Sequence, residues 1–292
     1  KLHEKGRVIV ARRLERAGVP RELELEEQLA AGDYSLFAKI YGINDDPNFE
    51  EEYYVPMLSE TRSELAPKYE MSRQQLEAKL LPVRQQLFAL RAERVRPFTD
   101  DKILTSWNGL MIRGFADAGR LLEEPGYIET AEKAATFVLE QLSDEKGRLL
   151  RTYRDGEAKL NAYLVDYAFL VEGLLSLHRA TGKKAWLDEA DRLMKIQLEL
   201  YWDDTNSGFF FTSNDHESLL ARGKNPVDGA QPSGNSVSVQ NLLALAQELD
   251  NEEYLERADR TIRSVSGILS NSPSASPRMV IAVGQLLEAR DK

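Results

Sequence analysis

The chain has 292 residues, 42% of them hydrophobic, with 48 acidic against 38 basic side chains and a net charge of −10. That is enough apolar material for one large core or two smaller ones, and the acidic balance excludes broad binding to a nucleic-acid backbone, which needs clustered Lys and Arg. The lack of Cys and the presence of only three His (His3, His178 and His216) exclude disulfides, thiol catalysis, thiolate zinc sites and a His-rich metal centre.

A cysteine-free chain fits a cytoplasmic location. No apolar run approaches the roughly 18 residues of a membrane span, so no membrane partner is expected. Lys1 is not a natural start, which leaves room for a leader outside the chain. Residues 8–31 read as a short extended piece and a helix broken near Gly18-Val19-Pro20. Residues 33–58 read as a short helix followed by a long aromatic and acidic connection. The acidic run Glu50-Glu51-Glu52 reads as a solvated face. Over residues 72–94, Ser72 is an N-cap and apolar positions 76, 80, 83, 87 and 90 form one helical face, which Pro82 should kink or split.

From residue 100 a plan repeats. "KILTSWNGLMIRGFADAGRLL", "YLVDYAFLVEGLLSLHRATG" and "SGNSVSVQNLLALAQEL" are apolar and rich in small residues. Each is followed by a more amphipathic helix: "GYIETAEKAATFVLEQL", "AWLDEADRLMKIQLELYW" and "EYLERADRTIRSVSGIL". The aromatic residues Tyr127, Trp186 and Tyr254 recur in those second helices, 59 and 68 residues apart. "SDEKGRLLRTYRDGE" reads as a turn and "SPRMVIAVGQLLEA" as a seventh helix. A helix apolar on most sides is buried, and one with a charged back faces water. The pattern predicts stacked hairpins with inner and outer helices, arranged as a solenoid or a closed α/α toroid.

The inner helices start with polar residues, and in a ring those starts converge. Exposed N–H groups at helix N-termini suit hydroxyl-rich or anionic ligands. Ser233 and Ser236 read either as caps or as a pocket wall, Gly234 as a packing glycine, and Asp228-Gly229 with Pro232 as turn builders. Trp107 reads either as core or as a stacking face for a sugar. Asn108, inside an apolar helix, needs a buried partner or a pocket. Asp166, followed by Tyr167, sits in an apolar face, where a carboxylate pairs with an Arg or works as a general acid or base. Glu172, six residues on, faces elsewhere and forms no catalytic pair with it. His216, flanked by Asp215 and Glu217, is a loop proton-transfer candidate. His178 reads as a helix C-terminal partner, and Phe209-Phe210-Phe211 as a strand or lid.

"DDKILTSWNGLMIRGFADAGRLL", "LLRTYRDGEAKLNAYLVDYAFLVEGLLSLHRATG" and "DGAQPSGNSVSVQNLLALA" together resemble the thioredoxin-domain-containing proteins of the YyaL and spermatogenesis-associated protein 20 type, in order over residues 34–290. The segment "NFEEEYYVPML" departs from that pattern at Glu51-Glu52-Tyr53. The resemblance implies an all-α fold. This is an (α/α) toroid of helical hairpins, of the six-hairpin glycosidase and N-acylglucosamine 2-epimerase kind, with short strand-like links. Residues 1–99 would then be N-terminal helices and a long connection, and residues 100–292 the repeated hairpins, with the thioredoxin part and the first hairpins missing. It also implies a sugar-like small-molecule ligand, no metal or cofactor, and proton transfer by Asp166, His216 and Asp228. Trp107, Asn108, Tyr167, Ser233 and Asn235 would contact the substrate. Epimerases of this fold use paired histidines, and only His216 has such a place here. The competing reading is a non-catalytic scaffold that holds a partner, such as a thioredoxin-like domain, against its concave face.

Overall fold

In the computed structural model, which describes residues 29–46, 48, 56–93, 95–96, 99–217 and 221–290, the chain divides into two units, before and after Asp101. Nearly all of the extended piece and broken helix expected over 8–31, and the acidic run at 50–52, lie outside the described residues. The first unit holds α1 (Ala31–Ile40), α2 (Arg62–Lys68) and α3 (Arg73–Ala92). Ser72 caps α3. Its hydroxyl accepts from the Gln75 N–H at 3.2 Å, and the Gln75 side chain accepts from the Ser72 N–H at 2.8 Å. Of the kink or split expected at Pro82, there is no split: α3 runs on through it. The proline forfeits one main-chain bond, but Leu76, Leu80 and Val83 are buried on one face and carry the helix through it.

The second unit is built from hairpins. Its inner helices are α4 (Thr105–Leu121), α6 (Leu164–Thr181), α8 (Gly234–Leu249) and α11 (Pro277–Arg290). Its outer helices are α5 (Pro125–Gln141), α7 (Lys184–Tyr201) and α9 (Glu252–Ser264), with a short α10 (Ser266–Asn271). α4 packs on α6, α6 on α8 and α8 on α11, while each outer helix lies against the inner helix before it. Burial follows the sequence. All of 164–177 except Val165 is buried, whereas α7 buries one stripe including Leu187, Ala190, Leu193 and Met194.

Three short strands sit among the links: β1 (Ile103–Leu104), β2 (Leu150–Arg154) and β3 (Glu157–Asn161). They are antiparallel in that order, with Leu104 opposite Thr152 and Tyr153 opposite Ala158. The sequence reading had a plain turn here. Asp155 and Gly156 both take positive φ, 53° and 83°, as the tightest hairpin turn requires. The expected strand at 209–211 is reduced to one bridge, Trp202 with Phe209.

The link after α7 is tied down by a buried carboxylate. Asp203 accepts from the N–H groups of Thr205 (2.9 Å) and Asn206 (3.1 Å) and from the Lys224 ammonium (2.5 Å). Lys224 holds the Asp203 carboxyl down to about 2, against the upward push of burial. The native value therefore lies below the unfolded one of about 3.9. Stability from this group is present above pH ~4 and is lost as pH falls toward ~2. Urea unfolding between pH 6 and pH 2 should show Asp203→Asn less stable than the parent at pH 6, with the gap closing by pH 2. A gap constant with pH would contradict this role.

Candidate functional site

The inner-helix starts do meet, and carboxylates that accept from main-chain N–H groups tie α4 to α6 and α8 to α11. Asp166, in the first turn of α6, is fully buried. Its Oδ1 accepts from the Ser106 N–H of α4 (2.9 Å), and its Oδ2 accepts from the Tyr163 N–H (2.8 Å) and faces the Arg151 guanidinium at 3.4 Å. Burial pushes its carboxyl above the usual carboxylate range, while those N–H donors and Arg151 pull it back. A Cβ on Gly234 would come within 2.9 Å of Leu164, so α8 starts hard against α6. Asp228 ties α8 to α11, accepting from the Ser233 N–H (2.7 Å) and the Arg278 N–H (2.8 Å).

Several expected ligand contacts are thus committed to the fold. Ser233 caps α8, accepting from the Ser236 N–H and donating to the Asn225 carbonyl at 2.7 Å. Asn235, expected to recognise hydroxyls, instead grips the Phe209 backbone: Oδ1 accepts its N–H (2.8 Å) and Nδ2 donates to its carbonyl (2.9 Å). Tyr167 is buried; its hydroxyl accepts from the Leu149 N–H at 2.9 Å, and burial raises its pKa to about 12. Asp166 and Asp228, expected as proton-transfer carboxylates, each have both oxygens engaged by main-chain donors. The half-buried Asn108 donates to its own Leu104 carbonyl.

Two expected residues remain open to solvent on this rim. Trp107 is 56% exposed. His216 is half-buried and stacks on Tyr163 at 5.2 Å between ring centroids; Phe211 stacks on the same ring at 4.8 Å and Arg151 lies 4.6 Å from it. Tyr163 thereby connects His216 to the Asp166 hydrogen-bond set.

A second zone was not anticipated. Along the inner helices, from the middle of α4 and α6 toward the C-terminal ends of α6 and α8, an open cleft of about 580 Å³ is lined by Arg113 of α4, Glu172 and Arg179 of α6, Gln240 and Gln247 of α8, and Arg278 and Gln285 of α11. Glu172 is buried, and its Oε1 meets both Arg278 and Arg113, the latter at 3.0 Å. Gln240 accepts from Arg278 Nε at 2.7 Å. Glu172 engages partners different from those of Asp166, as its helical offset implied. The signal in the sequence was a charged residue inside an apolar inner helix, "MIRGF" and "LVEGL", at the ninth residue of both α4 and α6. Among the described residues, no three His, Asp or Glu side chains gather as a metal site, and no helix is long and apolar enough to cross a membrane.

No protein-family model matches the chain. An uncharacterised protein of Caenorhabditis elegans is 34% identical over 231 residues, covering 76% of this chain and 31% of its own length. Mouse spermatogenesis-associated protein 20 is 33% identical over 273 residues, covering 87% of this chain and 34% of its own. The chain is homologous to spermatogenesis-associated protein 20 and spans about a third of the length of these curated relatives. Among solved structures, the GH76 α-mannanase BT2949 of Bacteroides thetaiotaomicron superposes with a TM-score of 0.54 at 17% identity, over 69% of this chain and 55% of that one. This likeness shows a shared α/α-toroid fold.

Proposed function

We propose that this chain is the sugar-binding α/α-toroid segment of a carbohydrate-active protein, of the epimerase, isomerase or glycosidase kind. The observation that carries the reading is the cleft. Four consecutive inner helices contribute Arg113, Glu172, Gln240 and Arg278 to one open face. A buried carboxylate such as Glu172 is costly unless paired or used, and this mixture of donors and acceptors suits a hydroxyl-rich ligand. Trp107 and the Tyr163–His216 stack do not line this cleft; they would offer further aromatic faces at the inner-helix starts, with His216 as the proton-transfer group there. Fold analogy supplies the ligand class only.

Calorimetric titration of the full chain with mono- and disaccharides tests this. At least one member should bind, and Gln240→Ala should weaken it about tenfold, the effect of losing one or two hydrogen bonds to the ligand. A panel in which nothing binds rejects the reading.

A second reading rests on α4 and its C-cap, which expose Trp107, Met111, Leu121 and Leu122. Such an apolar surface favours a partner-binding scaffold, with a thioredoxin-like domain as the occupant. Binding of such a domain in trans, weakened by Trp107→Ala and unaffected by sugars, would favour it.

A further inference from the structure

Resting on the sugar reading above, we infer that the Arg113–Glu172–Arg278 end of the cleft recognises an oxyanion, so that the ligand is an acidic sugar carrying a carboxylate or a phosphate. The argument starts from charge. One oxygen of the buried Glu172 is shared by two guanidiniums, one from α4 and one from α11. The triad has a net charge of +1 inside a chain whose net charge is −10, while the other carboxylates of the cleft, Asp250, Glu252 and Glu288, stand at or near the C-terminal ends of α8 and α11. Asp117 offsets part of this, but it meets Arg113 only at 3.5 Å and from a position 29% exposed, where water screens it.

The second argument is unused hydrogen-bonding capacity. A guanidinium has five N–H donors in a fixed fork. Arg278 places Nε on Gln240 and one N–H on Glu172, and Arg113 places NH1 on Glu172. Apart from Arg113 Nε, which faces Asp117 at 3.5 Å, their remaining donors have no partner among the described residues, and both side chains line the cleft. Two guanidiniums held together by a buried carboxylate are pre-organised, so a planar or tetrahedral oxyanion meets them without further ordering of long side chains. The Glu172 Oε2 is also buried without a partner, so the triad has an unfilled acceptor as well as unfilled donors. A ligand bearing both an oxyanion and hydroxyls can satisfy the two together.

The test is calorimetry of the full chain with glucose, glucuronate, glucose 6-phosphate and inorganic phosphate. Glucuronate or glucose 6-phosphate should bind about tenfold or more tightly than glucose, with the advantage falling as salt rises; whichever is tighter identifies the oxyanion. Arg278→Gln strands the buried Glu172, so Arg113→Gln, with its part-exposed side chain, is the decisive variant, and thermal melting checks its fold. It should lose most of the preference for the acid, read as the ratio of acid affinity to glucose affinity in the same variant. Equal affinity for glucose and both acids, or a preference unchanged in Arg113→Gln, overturns the oxyanion site and leaves the sugar reading standing. Inorganic phosphate binding as tightly as glucose 6-phosphate overturns the acidic sugar as the ligand, because the hydroxyls then contribute nothing. Silence across the whole panel removes the sugar reading and this inference together.

Discussion

Replacing Gly109 by Ala is expected to destabilise the protein by about 3 kcal/mol, the cost of forcing a methyl group into a closed packing site. A Cβ at Gly109 would stand 2.5 Å from the Phe169 carbonyl carbon, 2.6 Å from the Leu170 nitrogen and 2.7 Å from the Phe169 oxygen. All three are main-chain atoms in the middle of α6, so no side chain can swing aside. Gly173 faces the same crossing, where a Cβ would lie 2.9 Å from the Gly109 oxygen. α4 and α6 therefore touch backbone to backbone, and the added methyl must push them apart. That would unpack Ile112 and Ala116, both fully buried. Gly114, five residues further along α4, is the internal control. Nothing lies within 4 Å of its missing Cβ, so Gly114→Ala should stabilise by up to about 1 kcal/mol through helix propensity. Urea unfolding of the two variants should give opposite signs. A Gly109→Ala protein as stable as the parent would mean that the helices do not cross this closely.

Asp166→Ala is expected to cost about 3–5 kcal/mol. The change leaves the Ser106 and Tyr163 N–H groups without their acceptor and takes away the carboxylate facing Arg151. Each orphaned buried donor costs about 1–3 kcal/mol, and the guanidinium loses its counter-charge. Asp166→Asn keeps the shape but turns an NH₂ toward one of the two N–H donors, so its cost should fall between the parent and Ala. A role confined to catalysis would leave both variants as stable as the parent while abolishing turnover. Denaturant unfolding separates the two cases.

Much of the fold was legible because burial imposes its own pattern. The apolar, small-residue run at 164–177 could only be an inner helix, and the charged back of 184–201 could only face water. The β2–β3 hairpin was missed although "YRDGEA" carries the Asp-Gly turn signal. β2 is only part-buried and β3 is largely exposed, so they lack the alternation that marks a strand with one face in the core. At the site, polar residues at helix starts drew attention because caps and ligand-binding groups share one chemistry. Asn235 and Asp228 turned out to hold loops and helix ends in place. Arg113, Glu172 and Arg278 come from three separated segments. Only the stacking of α4, α6, α8 and α11 brings them to one cleft, and no local spacing encodes that.

The most direct test of the central claim is amide hydrogen exchange on the full chain, with and without the tightest-binding sugar of the panel. A ligand in the cleft should slow exchange around Glu172 to Arg179, Gln240 to Gln247 and Arg278 to Gln285, and leave the outer helices α5 and α7 unchanged. Protection confined to the exposed face of α4 around Trp107 and Met111, with none along α8 and α11, would contradict it.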